Sequence, residues 1–244
     1  MIANLQPYRE YKDSGLPWLP QVPSHWKVVR NGSLFGQRKD AADTSLPILE
    51  VSLKTGVRVR EFGGSKRKQV MSDISKYKRA AKADMAVNMM RMWQGAVGVV
   101  PVDGLVSPGY VVARPFRDVE SPYFAALFRT DDYMSEIDNY SRGIVKDRNR
   151  LYWEQFKQMR SPCPPPDEQA AIVRILDWAN GRLDRAIRAT RKVIALLDEQ
   201  KQAIIHRLSL IHISEPTRPY SISDAVFCLT KKTPPTPHTH PQLP

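Results

Sequence analysis

The sequence predicts an α+β protein: a mixed globular domain over residues 1–163, followed by one long coiled-coil-type α-helix over residues 164–207. Three observations predict it. Residues 46–115 hold short runs of β-branched and bulky apolar residues broken by Gly and Pro. Residues 121–140 place apolar side chains at helical spacing, and residues 167–207 carry one uninterrupted helical pattern behind three prolines.

In chain order, residues 11–26 read YKDSGLPWLPQVPSHW. Pro17, Pro20 and Pro23 exclude a helix interior, so the segment is expected to be extended and turn-rich, with Trp18 and Trp26 packed on the domain behind it. An aromatic ligand for these tryptophans is the alternative. KVVRNGSLF enters the domain as a short strand or helix. LPILEVSL at residues 46–53 alternates as a strand does, and VRVREF continues after the turn at Thr55 and Gly56. DMAVNMMRMWQGAVGVV at residues 84–100 reads as two strands with a tight connection at Gly95 and Gly98, and GLVSPGYVVARP at 104–115 as a further strand. Residues 121–140 are predicted helical throughout. About 160 residues suffice for one core.

The helix is bounded by Pro164, Pro165 and Pro166, which stop any upstream element and are tolerated at a helix start; Asp167 and Glu168 follow where negative charge is favoured. A 3.5-residue repeat aligns Ile172, Leu176, Ala179, Leu183, Ala186, Thr190, Val193, Leu197 and Ile204 into a seam. Ile187 and Ile194 widen it on one side, Ile175 and Leu196 on the other. Ile172, Leu176, Leu183, Ile187, Val193, Ile194, Leu197 and Ile204 are the expected helix-pairing residues. Such a helix is about 60 Å long and needs a partner. The alternative, a core helix of an ordinary domain, is disfavoured by the charge kept along one face from Arg174 to Glu199.

LSLIHISEPTR at residues 208–218 resembles the translation of a transposon mosaic-end sequencing adaptor. ISDAVFCL at 222–229 resembles the flow-cell sequence one index later, departing at Asp224. Residues 208–244 are therefore expected to be a disordered assembly artefact outside the function, the natural gene continuing past Arg207. The chain carries 37 Lys and Arg against 25 Asp and Glu; without that tail the surplus is eleven, and eight of these fall between Lys54 and Lys82. A second cluster spans Arg142 to Arg150. Clustered positive charge is the footprint of a polyanion, nucleic acid above all, although solvated basic loops are also common. No apolar run approaches a membrane span and no secretory signal opens the sequence, so no membrane partner and a cytoplasmic location are expected.

Catalytic constellations do not emerge. GGSKRK at residues 63–68 lacks the glycine spacing and terminal Lys-Ser/Thr of a phosphate loop, and no GxGxxG occurs. The Glu10-x-Lys12 pair has no upstream carboxylate to share a metal, and His25 and His206 lie far apart. Cys163 is the one cysteine ahead of the tail, too few for a disulfide framework or a zinc site. The expectation is no catalytic residue, no metal and no cofactor.

YKDSGLPWLPQVPSHW at the entry, SPGYVVARP in the middle and GIVKDRNRLYWEQFKQMRSPCPPPDEQAAIVRILD leading into the helix resemble the specificity subunits of type I restriction-modification systems. The resemblance runs from Tyr11 to Arg207, and the last string is its most specific part. Such subunits carry two target-recognition domains, each followed by a helix, with the helices paired antiparallel and modification and restriction subunits assembled around them. This chain has one of each, which implies a truncated form or a half-sized subunit that dimerises, the antiparallel helix partner coming from the missing second half or from a second chain. The resemblance implies that the globular domain binds double-stranded DNA at one half of a bipartite site. The helix sets the spacing and docks methyltransferase subunits, and methyl transfer, ATP use and cleavage belong to the partners. Charge and loop placement select Lys66, Arg67, Lys68, Lys76, Lys78, Arg79, Arg91, Arg142, Lys146 and Arg148 as DNA contacts, with Gln94 and Asn149 as residues that read bases or satisfy the backbone locally. An RNA or single-strand binder and a structural adaptor without nucleic acid are the alternatives.

Overall fold

The computed structural model describes residues 6–60, 74–143 and 149–213, and the chain divides into two compact units, Met1–Arg182 and Leu183–Pro244. In chain order the strands are β1 (Tyr11–Leu16), β2 (Leu19–Pro23), β3 (Lys27–Arg30), β4 (Phe35–Gln37), β5 (Leu49–Ser52), β6 (Gly56–Val59), β7 (Lys78–Ala80), β8 (Met85–Asn88), β9 (Val97–Val99), β10 (Gly104–Val106) and β11 (Tyr110–Pro115). Helices α1 (Ser121–Leu127), α2 (Asp131–Tyr140) and α3 (Trp153–Phe156) come next, then strand β12 (Arg160–Cys163) and helix α4 (Pro166–Ile213).

The centre of the first unit is a four-stranded antiparallel sheet in the order β4-β11-β8-β9. Successive side chains point to opposite faces. Met85 and Val87 therefore join the aromatic core with Val111 and Ala113, while Ala86 and Val112 join a smaller cluster with Leu49, Val57, Ala80, Val100 and Val106. Both faces are covered, which is why these strands read as continuous apolar runs. In the aromatic core Phe35, Phe124, Phe128 and Phe156 stack at centroid separations from 5.4 to 6.4 Å, and Tyr133 lies 4.7 Å from Phe128. The connection between β8 and β9 is a 3-10 turn closed by Gly95 at φ 80. Gly98 is needed for a different reason, since a Cβ there would meet the Val57 backbone nitrogen at 2.7 Å where β6 crosses β9.

Two segments differ from the sequence reading. Residues 104–115 form two strands, because Pro108 has no N–H to donate and Tyr110 N–H turns back to the Ser107 carbonyl at 2.9 Å. Residues 121–140 form two helices. Thr130 caps the second, accepting from Tyr133 N–H at 3.4 Å, with Asp131 and Asp132 in its first turn. The proline-rich entry forms the hairpin β1-β2, and Trp18 at its turn meets Tyr133 edge-on at 5.1 Å.

The two ends of the domain are tied together. Strand β12 pairs antiparallel with β3, and behind the pair a buried ring closes: Asn31 Nδ2 donates to the Tyr133 hydroxyl (2.9 Å), which shares a hydrogen bond with Ser161 Oγ (2.9 Å), which donates to Asn31 Oδ1 (2.7 Å). Burial pushes the Tyr133 hydroxyl far up, so it stays a neutral donor and acceptor.

Helix α4 begins at Pro166, and its described course continues past Arg207 to Ile213. Its first turns belong to the first unit, where Ile172 and Val173 pack half-buried against the aromatic core. In the second unit every described side chain from Leu183 to Ser209 is exposed.

Candidate nucleic-acid interface

The described basic residues among those that charge selects differ in their surroundings. Lys78 on β7 spends two of its three donors on backbone, donating from Nζ to the carbonyls of Pro108 (2.9 Å) and Tyr110 (2.8 Å). Burial lowers its pKa. Arg79 donates from Nη2 to Asp103 Oδ2 at 3.1 Å, and its buried Nε has no partner among the described residues. Asp103 also accepts from the Lys82 N–H, and this bond, followed by that from Arg79, holds its carboxyl below the usual range. Lys76 is exposed on the 3-10 turn Ile74–Lys76. Lys66, Arg67, Lys68, Lys146 and Arg148 lie outside the described residues.

The turn that holds Lys78 leads to the remaining sites. Met89 N–H approaches the Gly109 carbonyl at 3.4 Å, Leu151 N–H donates to the Met89 carbonyl at 2.9 Å, and Arg142 and Arg150 exchange backbone hydrogen bonds at 3.0 Å each. Three stretches far apart in sequence, around residues 89–91, 142 and 150–152, are thereby drawn side by side. Arg91, Arg142 and Arg150 are exposed there, and none of the three side chains has an ion pair or hydrogen bond to a described residue. Met90, next to Arg91 in the chain, and Tyr152, two residues past Arg150, are exposed as well, at 46% and 44%.

Arg150 and Tyr152 were not selected from the sequence. Arg150 lay inside a recognised charge cluster, but only the Arg142–Arg150 bridge shows that the two arginines are neighbours. Gln94 is exposed on the 3-10 turn after Arg91, whereas Asn149 donates to Asp138 Oδ1 at 3.2 Å and so is engaged locally. Such a surface can grip an anionic backbone through guanidinium groups and offer an aromatic face and a thioether to bases. Among the described residues no three His, Cys, Asp or Glu side chains converge as a metal site would require, and no helix is long and apolar enough to cross a membrane. Cys163 is free and half-buried, its thiol pushed up by burial.

On α4, Leu183, Ile187, Val193, Ile194, Leu197 and Ile204 are all exposed, Leu183 at 59% and Ile204 at 60%. Leu176, in the first unit, is 39% exposed, and Trp178 stacks under the Arg182 guanidinium at 5.0 Å.

No family model matches the chain. It is 22% identical over 222 residues to the Methanocaldococcus jannaschii protein named "Putative type I restriction enzyme MjaX specificity subunit", a match covering 85% of this chain and 51% of that one. The chain thus spans about half the length of the curated relative it matches. A chain in a solved structure on complex assembly and conformational transition of the type I R-M system shares its fold, with TM-score 0.55 and 17% identity over 81% of this chain and 48% of the other. The HsdS subunit from Thermoanaerobacter tengcongensis aligns over 73% of this chain and 42% of its own, with TM-score 0.47 and 18% identity. The chain therefore resembles type I specificity subunits in sequence, and the α+β fold with a long helix is borne out.

Proposed function

We propose that this chain is a non-catalytic, DNA-specificity component of a type I restriction-modification complex. Its first unit reads one half of a bipartite site on double-stranded DNA. Helix α4 sets the spacing, pairs antiparallel with a second helix, and docks modification subunits, while methyl transfer, ATP use and cleavage belong to the partners. The observation that carries the reading is the convergence of Arg91, Arg142 and Arg150 with Met90 and Tyr152 on backbone-linked turns, without acidic partners among the described residues. Phosphate contacts supply affinity on such a surface, and side chains reaching base edges supply sequence choice.

Charge removal tests it. In the Arg91→Gln/Arg142→Gln/Arg150→Gln variant, the slope of log affinity against log salt for duplex DNA is expected to fall by about 2.7, or about 0.9 for each phosphate released. An unchanged slope removes this face from the interface. The exposed Tyr152 also suits stacking by unpaired bases, so competition by RNA and by single strands belongs in the same titration. Displacement of the duplex by either at equal concentration favours that reading instead.

A further inference from the structure

A second basic site lies where β3 meets β12. Arg160 is the register partner of Arg30, both are exposed, and neither guanidinium has an ion pair or hydrogen bond to a described residue. Like charges directly opposite on neighbouring strands destabilise a sheet. Here no described residue offsets the cost. The two arginines line an open cleft of about 1000 Å³, which Ser33, Tyr140 and Lys157 also line. Among the described residues, Glu154 on α3 pairs with Lys157 Nζ at 2.6 Å and leaves the arginine pair unbalanced.

The floor of the cleft is fixed by backbone. Asn31 N–H donates to the Met159 carbonyl at 2.8 Å and Gly32 N–H to the Lys157 carbonyl at 2.9 Å. A Cβ on Gly32 would sit 3.0 Å from Lys157 Cβ, so the close approach of the two segments depends on that glycine. The buried ring of Asn31, Tyr133 and Ser161 anchors the same strands from behind. Both arginine backbones are therefore positioned before any ligand arrives, which lowers the ordering cost of binding. Tyr140 ends α2, two residues before Arg142 of the face described above, so the chain leads directly from that face to the cleft.

We infer that the Arg30–Arg160 cleft is a second phosphate-backbone site, in which the two guanidinium groups grip one phosphodiester of the DNA. Guanidinium forks match phosphate oxygens in bidentate geometry, and the anion cancels the repulsion across the strand pair. The inference rests on the proposed duplex-DNA reading and deepens it: this contact supplies affinity and register, without sequence information.

The test is duplex binding by the full chain across a salt series, comparing wild type with Arg30→Gln/Arg160→Gln. The slope is expected to fall by about 0.9, the ratio of affinities for preferred and mismatched duplexes to stay constant, and the melting temperature to hold or rise as repulsion is relieved. Wild-type binding with an unchanged slope in the variant overturns the cleft inference alone. Wild type that binds no duplex at low salt overturns the DNA reading and the cleft with it. A poly-glutamate peptide that binds wild type more tightly than duplex does, and loses that binding in the variant, assigns the cleft to an acidic protein partner and overturns the phosphodiester.

Discussion

Replacing Gln169 by leucine is expected to cost about 3 kcal/mol and to lower the melting temperature by roughly 6–12 °C. Gln169 is fully buried in the first turn of α4. Its Oε1 accepts from Glu120 N–H at 3.0 Å, and its Nε2 donates to the Pro164 carbonyl at 2.8 Å and, more weakly, to that of Asp118 at 3.4 Å. Leucine fills nearly the same volume but strands a part-buried N–H and a buried carbonyl, which together cost about 3 kcal/mol when unpaired. The neighbouring Glu168 makes the contrast. It accepts from the Tyr8 hydroxyl (3.0 Å) and the Trp26 indole (2.9 Å) and lies 2.6 Å from His25 Nε2, with its side chain 27% exposed. Glu168→Gln is expected to cost about 1 kcal/mol. Burial alone would raise the Glu168 carboxyl, but the hydrogen bonds from Trp26, His25 and Tyr8 together bring it below its ordinary value. A depressed carboxylate contributes stability above its unfolded pKa of about 4.3 and loses it as pH falls through the lower folded value. The gap between wild type and Glu168→Gln should therefore be full at neutral pH and close below about pH 4. Chemical denaturation at neutral and acid pH checks both substitutions, and equal costs for Gln169→Leu and Glu168→Gln would contradict this account of how the helix is seated.

The second large effect concerns the helix itself. The Leu183→Glu/Leu197→Glu variant is expected to abolish self-association of the chain. These leucines are 59% and 58% exposed in the second unit, and burying the remaining half of each side chain in a pair of helices stabilises by about 1 kcal/mol. A pair loses four such contributions, about 4 kcal/mol, or roughly a thousandfold in dissociation constant, and gains buried charge besides. Sedimentation at micromolar concentration should show wild-type dimers and monomeric variant. Wild type that is monomeric at the same concentration contradicts pairing with a second copy.

The strands at residues 46–59 and 84–100 were legible because covered faces demand apolar residues, and the helix because its period is unbroken over many turns. The hairpin β1-β2 was read only as extended chain, since prolines normally argue against strands; Pro20 and Pro23 are tolerated because β2 belongs to a two-stranded ribbon with a free edge. The break at Thr130 had a signal, a threonine followed by two aspartates, that the run of apolar spacing outweighed. The candidate site was legible as charge and illegible as geometry. Composition marks Lys78 and Arg91 alike, yet one ammonium is committed to carbonyls of a neighbouring turn while the other cation is exposed. Arg150 and Tyr152 gain meaning from the hydrogen bond between Leu151 and Met89, a contact between residues far apart in sequence that no local pattern encodes.

The most direct measurement is selection of bound duplexes from a randomised pool by the full chain, followed by sequencing. The account predicts enrichment of one short, defined half-site, retained at moderate salt. Recovery of duplexes without sequence preference, or loss of all duplex to an RNA competitor, would contradict it.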